Sequence, residues 1–186
     1  MSLYIRKVTK SKWNPSVKVQ NDQLTLTQGT DGVTNCCRTA RNTISIWKVD
    51  SIALTSESDK KIIATLGSGS NNLSFIDYVI ITDEELENHE LQLSEPGEGG
   101  NSFIQEVIPL HYNIKNLNVE SIARFGLLID KKVSGVETVQ GELLSEPEVK
   151  RIAENMVKTY ILQYIPKNSL NAGKLILKQG FKNFYD

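Results

Sequence analysis

Phe75-Ile76-Asp77-Tyr78-Val79-Ile80-Ile81 is the most β-like apolar run in the chain. β-Branched and aromatic residues dominate it, and it reads as a strand covered on both faces. Its one charge is the anomaly, because a carboxylate inside an apolar strand is costly unless it is paired or functional. Asp83, Glu84 and Glu85 follow just beyond the strand's C-terminal end, where sites of α/β proteins commonly open. These residues therefore define a candidate metal-dependent hydrolase site built on Asp77 and Asp83.

The segments around this strand assign it to a sheet. Upstream, Leu3 to Thr9 is a short apolar-rich run, and residues 16–20 and 23–27 alternate with period two about the turn Asn21-Asp22, which predicts a hairpin. Thr43-Ile44-Ser45-Ile46-Trp47-Lys48-Val49 predicts another strand, with Ile44 and Ile46 on one face and Trp47 and Val49 on the other. Ser56 followed by Glu57 and Asp59 predicts a short helix that ends at Gly67, and Thr82 with Glu85 forms a capping-box pattern for a second.

Beyond residue 100 the pattern becomes helical. Asn118 is a plausible cap for a helix to Lys132 that is apolar nearly all round through Phe125-Gly126-Leu127-Leu128-Ile129, so burial is expected, with Gly126 admitting a close neighbour. Ser145 and Glu148 resemble a capping box for a helix running to Tyr164, which Pro166 would stop. A weaker helix is expected near residues 170–179. The whole reads as an α+β fold, with a mixed or antiparallel sheet from the N-terminal half covered by helices from the C-terminal half. Residues 1–186 are expected to form a single domain, with a mobile loop or boundary at 95–102, where Glu95-Pro96-Gly97-Glu98-Gly99-Gly100 breaks all periodicity.

Composition narrows the class without naming a chemistry. The chain has 186 residues, 39% hydrophobic and 23% charged, as in a soluble globular protein. It has no apolar run of the roughly 18 to 20 residues that span a bilayer, and its first residues lack a signal peptide's apolar region, which points to the cytoplasm. Cys36 and Cys37 are adjacent, and a bond between neighbours would close a strained ring, so reduced thiols are expected. Charge is segregated: residues 1–61 carry a net +5, residues 62–146 carry −10 and residues 147–186 carry +4.

Motif by motif, the case for catalysis is thin. His89 and His111 fall on different expected elements, and no G-x-S-x-G surrounds any serine. The glycine-rich stretch near Gly67 does not connect a strand to a following helix as phosphate loops do, and the one near Gly97 carries acids, Glu95 and Glu98 among them, that would repel phosphate. Glu148-Val149-Lys150 matches a nuclease Glu-x-Lys spacing but falls in an expected first helical turn. No catalytic residue, metal ligand or cofactor is assigned.

The C-terminal segment is more suggestive. Lys178, Phe181, Lys182, Phe184 and Tyr185 interleave lysines with rings, a mixture that suits a docking peptide for a protein partner. It also suits single-stranded nucleic acid, with Arg38 and Arg41 extending the basic face. The competing expectation is that the rings fold back on their own domain. The sequence thus favours a non-enzymatic interaction or regulatory subunit of a protein complex, in the cytoplasm and off the membrane. Nucleic-acid binding and the Asp77/Asp83 hydrolase are its alternatives, and oligomeric state is left open.

Overall fold

The computed structural model describes residues 1–9, 43–137 and 143–186. The expected hairpin at 16–27, the cysteines Cys36 and Cys37, and Arg38 and Arg41 lie outside the described residues. The fold is α+β. Eight strands are described: β1 (Leu3–Val8), β2 (Ile44–Val49), β3 (Ile76–Thr82), β4 (Gln92–Leu93), β5 (His111–Lys115), β6 (Val136–Glu137), β7 (Leu143–Ser145) and β8 (Lys150–Ile152). The helices are α1 (Glu57–Ser68), α2 (Asp83–Asn88), α3 (Val119–Ser134), α4 (Glu154–Tyr164) and α5 (Leu170–Ile176), with a 3-10 turn at Gln105–Leu110.

Six strands form one antiparallel sheet in the order β4-β5-β2-β1-β3-β8, and β6 pairs separately with β7. Period-two alternation divides the core in two. Ile5, Trp47, Val49, Ile76 and Tyr78 face one layer, which α1, α4, α5 and the C-terminal segment complete with Ile62, Val157, Ile161, Leu175 and Phe181. Tyr4, Val8, Ile44, Ile46, Val79 and Ile81 face the other, closed by Phe125, Leu128 and Ile129 of α3 and Leu86 of α2. Both faces of β2 and β3 are covered, as their composition predicts.

Helix starts follow the sequence closely. Ser56 and Asp59 form a reciprocal capping box, Thr82 and Glu85 form a second, and the Asn118 side chain accepts from the Ser121 amide at 2.8 Å. Asp59 is fully buried because it also accepts from the Asp50 amide at 2.9 Å, which ties α1 to the end of β2. The loop at 94–100 lies along β5: Ser94 N–H donates to Asn113 O and Gly97 N–H to His111 O, both at 2.8 Å, and Glu98 O accepts from Asn113 Nδ2 at 2.7 Å.

Three local expectations are corrected. The helix expected from Ser145 begins only at Glu154, with Ala153 as its cap. Pro147 biases Glu146 to extended backbone, and residues 150–152 pair with β3 instead of continuing a helix. Glu148, expected in a capping box, pairs instead with Lys132 at 2.8 Å. Gly67 does not end α1: it lies inside the helix where α4 crosses, and a Cβ there would come within 2.4 Å of Val157 Cγ1. Gly126 has no neighbour within 4 Å of an added Cβ, so it admits no close approach.

Gly126 therefore carries the entropic cost of glycine in a helix without a packing benefit. Gly126→Ala should stabilise the protein by about 0.5–1 kcal/mol, read as a higher midpoint in denaturant unfolding. A second expectation concerns His111, which is buried in edge contact with Trp47 and hydrogen-bonded to the Glu98 carbonyl. Desolvation holds its imidazole below its ordinary value of 6.5, with the Glu98 bond opposing. Above that pH neither the folded nor the unfolded state protonates the ring. As the pH falls below it, the unfolded state takes up the proton first and stability declines. Melting temperatures between pH 7.5 and 5 should show this decline in the native protein and a shallower one in His111→Gln.

Candidate functional site

The acidic residues near β3 do not converge. Asp77 is the second residue of the strand and Asp83 follows its last residue, so six residue steps of extended chain, about 20 Å, separate them. Asp77 is only 4% exposed, and both its oxygens are taken by Arg151 of β8, with Nε to Oδ1 at 2.7 Å and Nη2 to Oδ2 at 3.0 Å. The guanidinium also lies over the Phe75 ring, 3.9 Å from its centroid. This bidentate pair fixes β8 in register on β3 and leaves the carboxylate no free oxygen toward a substrate.

Asp83 accepts from the Ser2 amide at 2.8 Å and from the Glu84 amide at 3.0 Å, and the Ser2 bond lowers its pKa. Glu85 is held by the Thr82 amide and by the nearly buried ammonium of Lys132, 2.7 Å away. His89 Nδ1 is bonded to the Glu85 carbonyl. Among the described residues, no group of three or more His, Cys, Asp or Glu side chains is arranged to hold a metal.

The C-terminal segment is the most distinctive surface. Ser169 caps α5 by accepting from the Ala172 amide at 3.0 Å, and Ala172 and Leu175 turn into the core. Seven residues make about two turns, which offer only a short inward face. Leu170 and Leu177, seven apart, therefore share the outward face and are 91% and 82% exposed, with Ile176 partly exposed beside them. After α5 the chain returns to the α1–β3 loop: Gly180 N–H donates to Asn71 O at 3.1 Å and Gly180 bridges Asn72. A Cβ on Gly180 would fall 2.5 Å from Asn72 Cα, so this approach requires glycine.

The five residues singled out from the sequence are divided by this path. Phe181 is fully buried and Phe184 nearly so, their ring centroids 5.3 Å apart. Tyr185 is half-buried, its hydroxyl donating to the Ile165 carbonyl, and burial raises its pKa. Lys178 turns inward to the Ser68 and Ser70 carbonyls. Lys182 alone is well exposed. The rings of Phe181 and Phe184 are thus core, and the surface available to a partner is the outer side of α5 with Lys182.

A groove of about 280 Å³ runs between α5 and the tail, lined by Lys167, Gly173, Ile176, Lys182, Tyr185 and Asp186. Residues 165–186 hold four lysines and one aspartate, and the aspartate is a loose partner of Lys167 at 3.9 Å. An apolar ridge bordered by a net positive groove is the result. Sequence reasoning missed Leu170, Ile176 and Leu177 as surface residues. The available signal was Leu170, Ala172, Leu175, Ile176 and Leu177 within eight positions, more apolar side chains than one face of so short a helix can bury.

Comparison of the chain with known protein families, with curated proteins and with solved structures returns no match. Among the described residues, no helix is long and apolar enough to cross a membrane.

The Asp77–Arg151 geometry makes an asymmetric prediction. Arg151→Met strands a buried carboxylate and should cost about 2–4 kcal/mol, the lower part of the range reflecting the half-exposed arginine. Asp77→Asn retains shape and an acceptor and should cost nearer 1 kcal/mol. Urea unfolding of both variants measures the difference.

Proposed function

We propose that this chain is a non-enzymatic interaction subunit, acting in the cytoplasm, that docks a protein partner through the outer face of α5 and the adjoining groove. The observation that carries this reading is the pair Leu170 and Leu177, two leucines at helical spacing exposed almost completely on a basic surface. Scattered single leucines are ordinary, but a ridge of three large apolar side chains rimmed by lysines is the composition of a protein interface, with an apolar centre and a charged border. Lys167, Lys174 and Lys182 would steer an acidic partner and set its orientation.

The nucleic-acid alternative has less support, because base stacking needs free rings and Phe181 and Phe184 are spent in the core. The hydrolase alternative has lost its central carboxylate to Arg151.

Removing residues 180–186 is a poor test, since it would take Phe181 and Phe184 from the core. Substituting the ridge is cleaner. Leu170→Asp with Leu177→Asp should leave the melting temperature nearly unchanged, both side chains being on the surface, and should abolish recovery of a stoichiometric, nuclease-resistant partner that the native protein retains. Equal recovery with both proteins would place the interface elsewhere. Recovery of nucleic acid alone, released as salt rises, would favour the basic-surface alternative.

A further inference from the structure

A second cleft, of about 370 Å³, lies between the last turns of α1, the segment 101–103 and Lys178. Its walls include Thr65, Asn101, Ser102, Phe103 and Lys178. Hydrogen-bond accounting around it is unbalanced. The nearby backbone carbonyls are already engaged: Thr65 O receives Gly69 N–H and the Ser68 hydroxyl, Gly67 O receives Ser70 N–H, and Ser68 O and Ser70 O both receive Lys178 Nζ. Ser102 O receives Gln105 Nε2 at 2.8 Å and Phe103 O receives Asn171 Nδ2 at 2.6 Å.

Donors remain. Thr65 Oγ1 and Ser102 Oγ, 6% and 8% exposed, are 2.8 Å apart, and Ser102 Oγ already accepts from the Ile104 amide at 2.9 Å. The pair carries two hydroxyl protons and one mutual bond, so one proton has no acceptor among the described residues. Lys178 has three N–H donors and two carbonyl partners. Its ammonium is 5.2 Å from the Phe103 ring centroid and has no carboxylate partner among the described residues. On the same loop Lys7 Nζ donates to Ser70 Oγ at 2.6 Å, and it too has no carboxylate partner among the described residues. The negative end of α1 would oppose an anion, but Lys178 donates directly to its last carbonyl, that of Ser68.

We infer that this cleft binds a small oxyanion, the phosphoryl or carboxylate group of a low-molecular-weight compound, received by Lys178 Nζ and the Thr65–Ser102 hydroxyl pair with the Asn101 amide at its mouth. An oxyanion offers only acceptors, which is what a donor-rich cleft lacks. Burial lowers the pKa of Lys178, and an anion bound beside it would restore it toward its ordinary value. The inference is independent of the docking face, since Lys178 points away from it.

The test is a titration of the full chain with inorganic phosphate and, separately, acetate, at constant ionic strength maintained with chloride, followed by amide NMR shifts. Saturable shifts are expected at Gly69, Asn101, Ser102 and Phe103. Lys178→Gln, which keeps a donor for the carbonyls but removes the charge, should weaken binding about tenfold. Lys131→Gln, on α3, should bind as the native protein does. Because Lys178 also supports the end of α1, Thr65→Val provides a second variant that spares the lysine, and a several-fold loss is expected there. Saturation by phosphate alone assigns a phosphoryl ligand, by acetate alone a carboxylate, and by both the shared oxyanion chemistry. Shifts no larger than those of chloride, or affinities unchanged in both Lys178→Gln and Thr65→Val, would overturn the assignment.

Discussion

A sheet with apolar side chains on both faces cannot be left half covered, and this requirement organises the chain. Tyr4, Val8, Ile44, Ile46, Val79 and Ile81 point to one side of the central strands while Ile5, Trp47, Val49, Ile76 and Tyr78 point to the other. At roughly 25 cal/mol for each Å² removed from water, leaving either face open would forfeit a large share of the folding energy. The α3 helix answers one face, and α1, α4, α5 and the C-terminal segment answer the other. The tail is drawn inward by the same demand: Phe181 completes a layer that α5, with two inward side chains, is too short to close alone.

Much of this was legible in the residues. Alternation placed Ile44 and Ile46 opposite Trp47 and Val49, and caps at Ser56, Thr82 and Asn118 marked three helix starts, because both signals are local. Failures occurred where a distant partner outweighed a local pattern. Residues 145–152 carry a passable capping signal, but Arg151 reaches Asp77, and strand pairing with β3 overrides it. The α3 helix looked apolar all round, yet its contacts lie on one side, so Gly126 and Leu127 remain partly exposed. No local signal reports which side of a helix will face a sheet.

The candidate surfaces show the same division. Lysines interleaved with rings at the C-terminus were visible, but whether the rings turn in or out is decided by the distant core layer they join. Leu170 and Leu177 became surface residues because Ala172 and Leu175 took the inward positions. The Thr65–Ser102 cleft was invisible in sequence, since its donors lie 37 residues apart and are brought together only when the 101–103 segment meets α1. Asp77 was recognised as anomalous, and the anomaly proved to be half of an ion pair whose other half lies 74 residues away.

The return of the C-terminal segment to the α1–β3 loop has a consequence for the order of assembly during synthesis. Lys178 and Ser70 are 108 residues apart, and Gly180 meets Asn72 over a similar span. While the intervening residues are still being translated, β3 and α1 are already outside the ribosome with the Phe181 side of their core open to water. The nascent protein must therefore carry an uncovered apolar layer until the last turn docks, a window in which encounters with chaperones compete with misassociation.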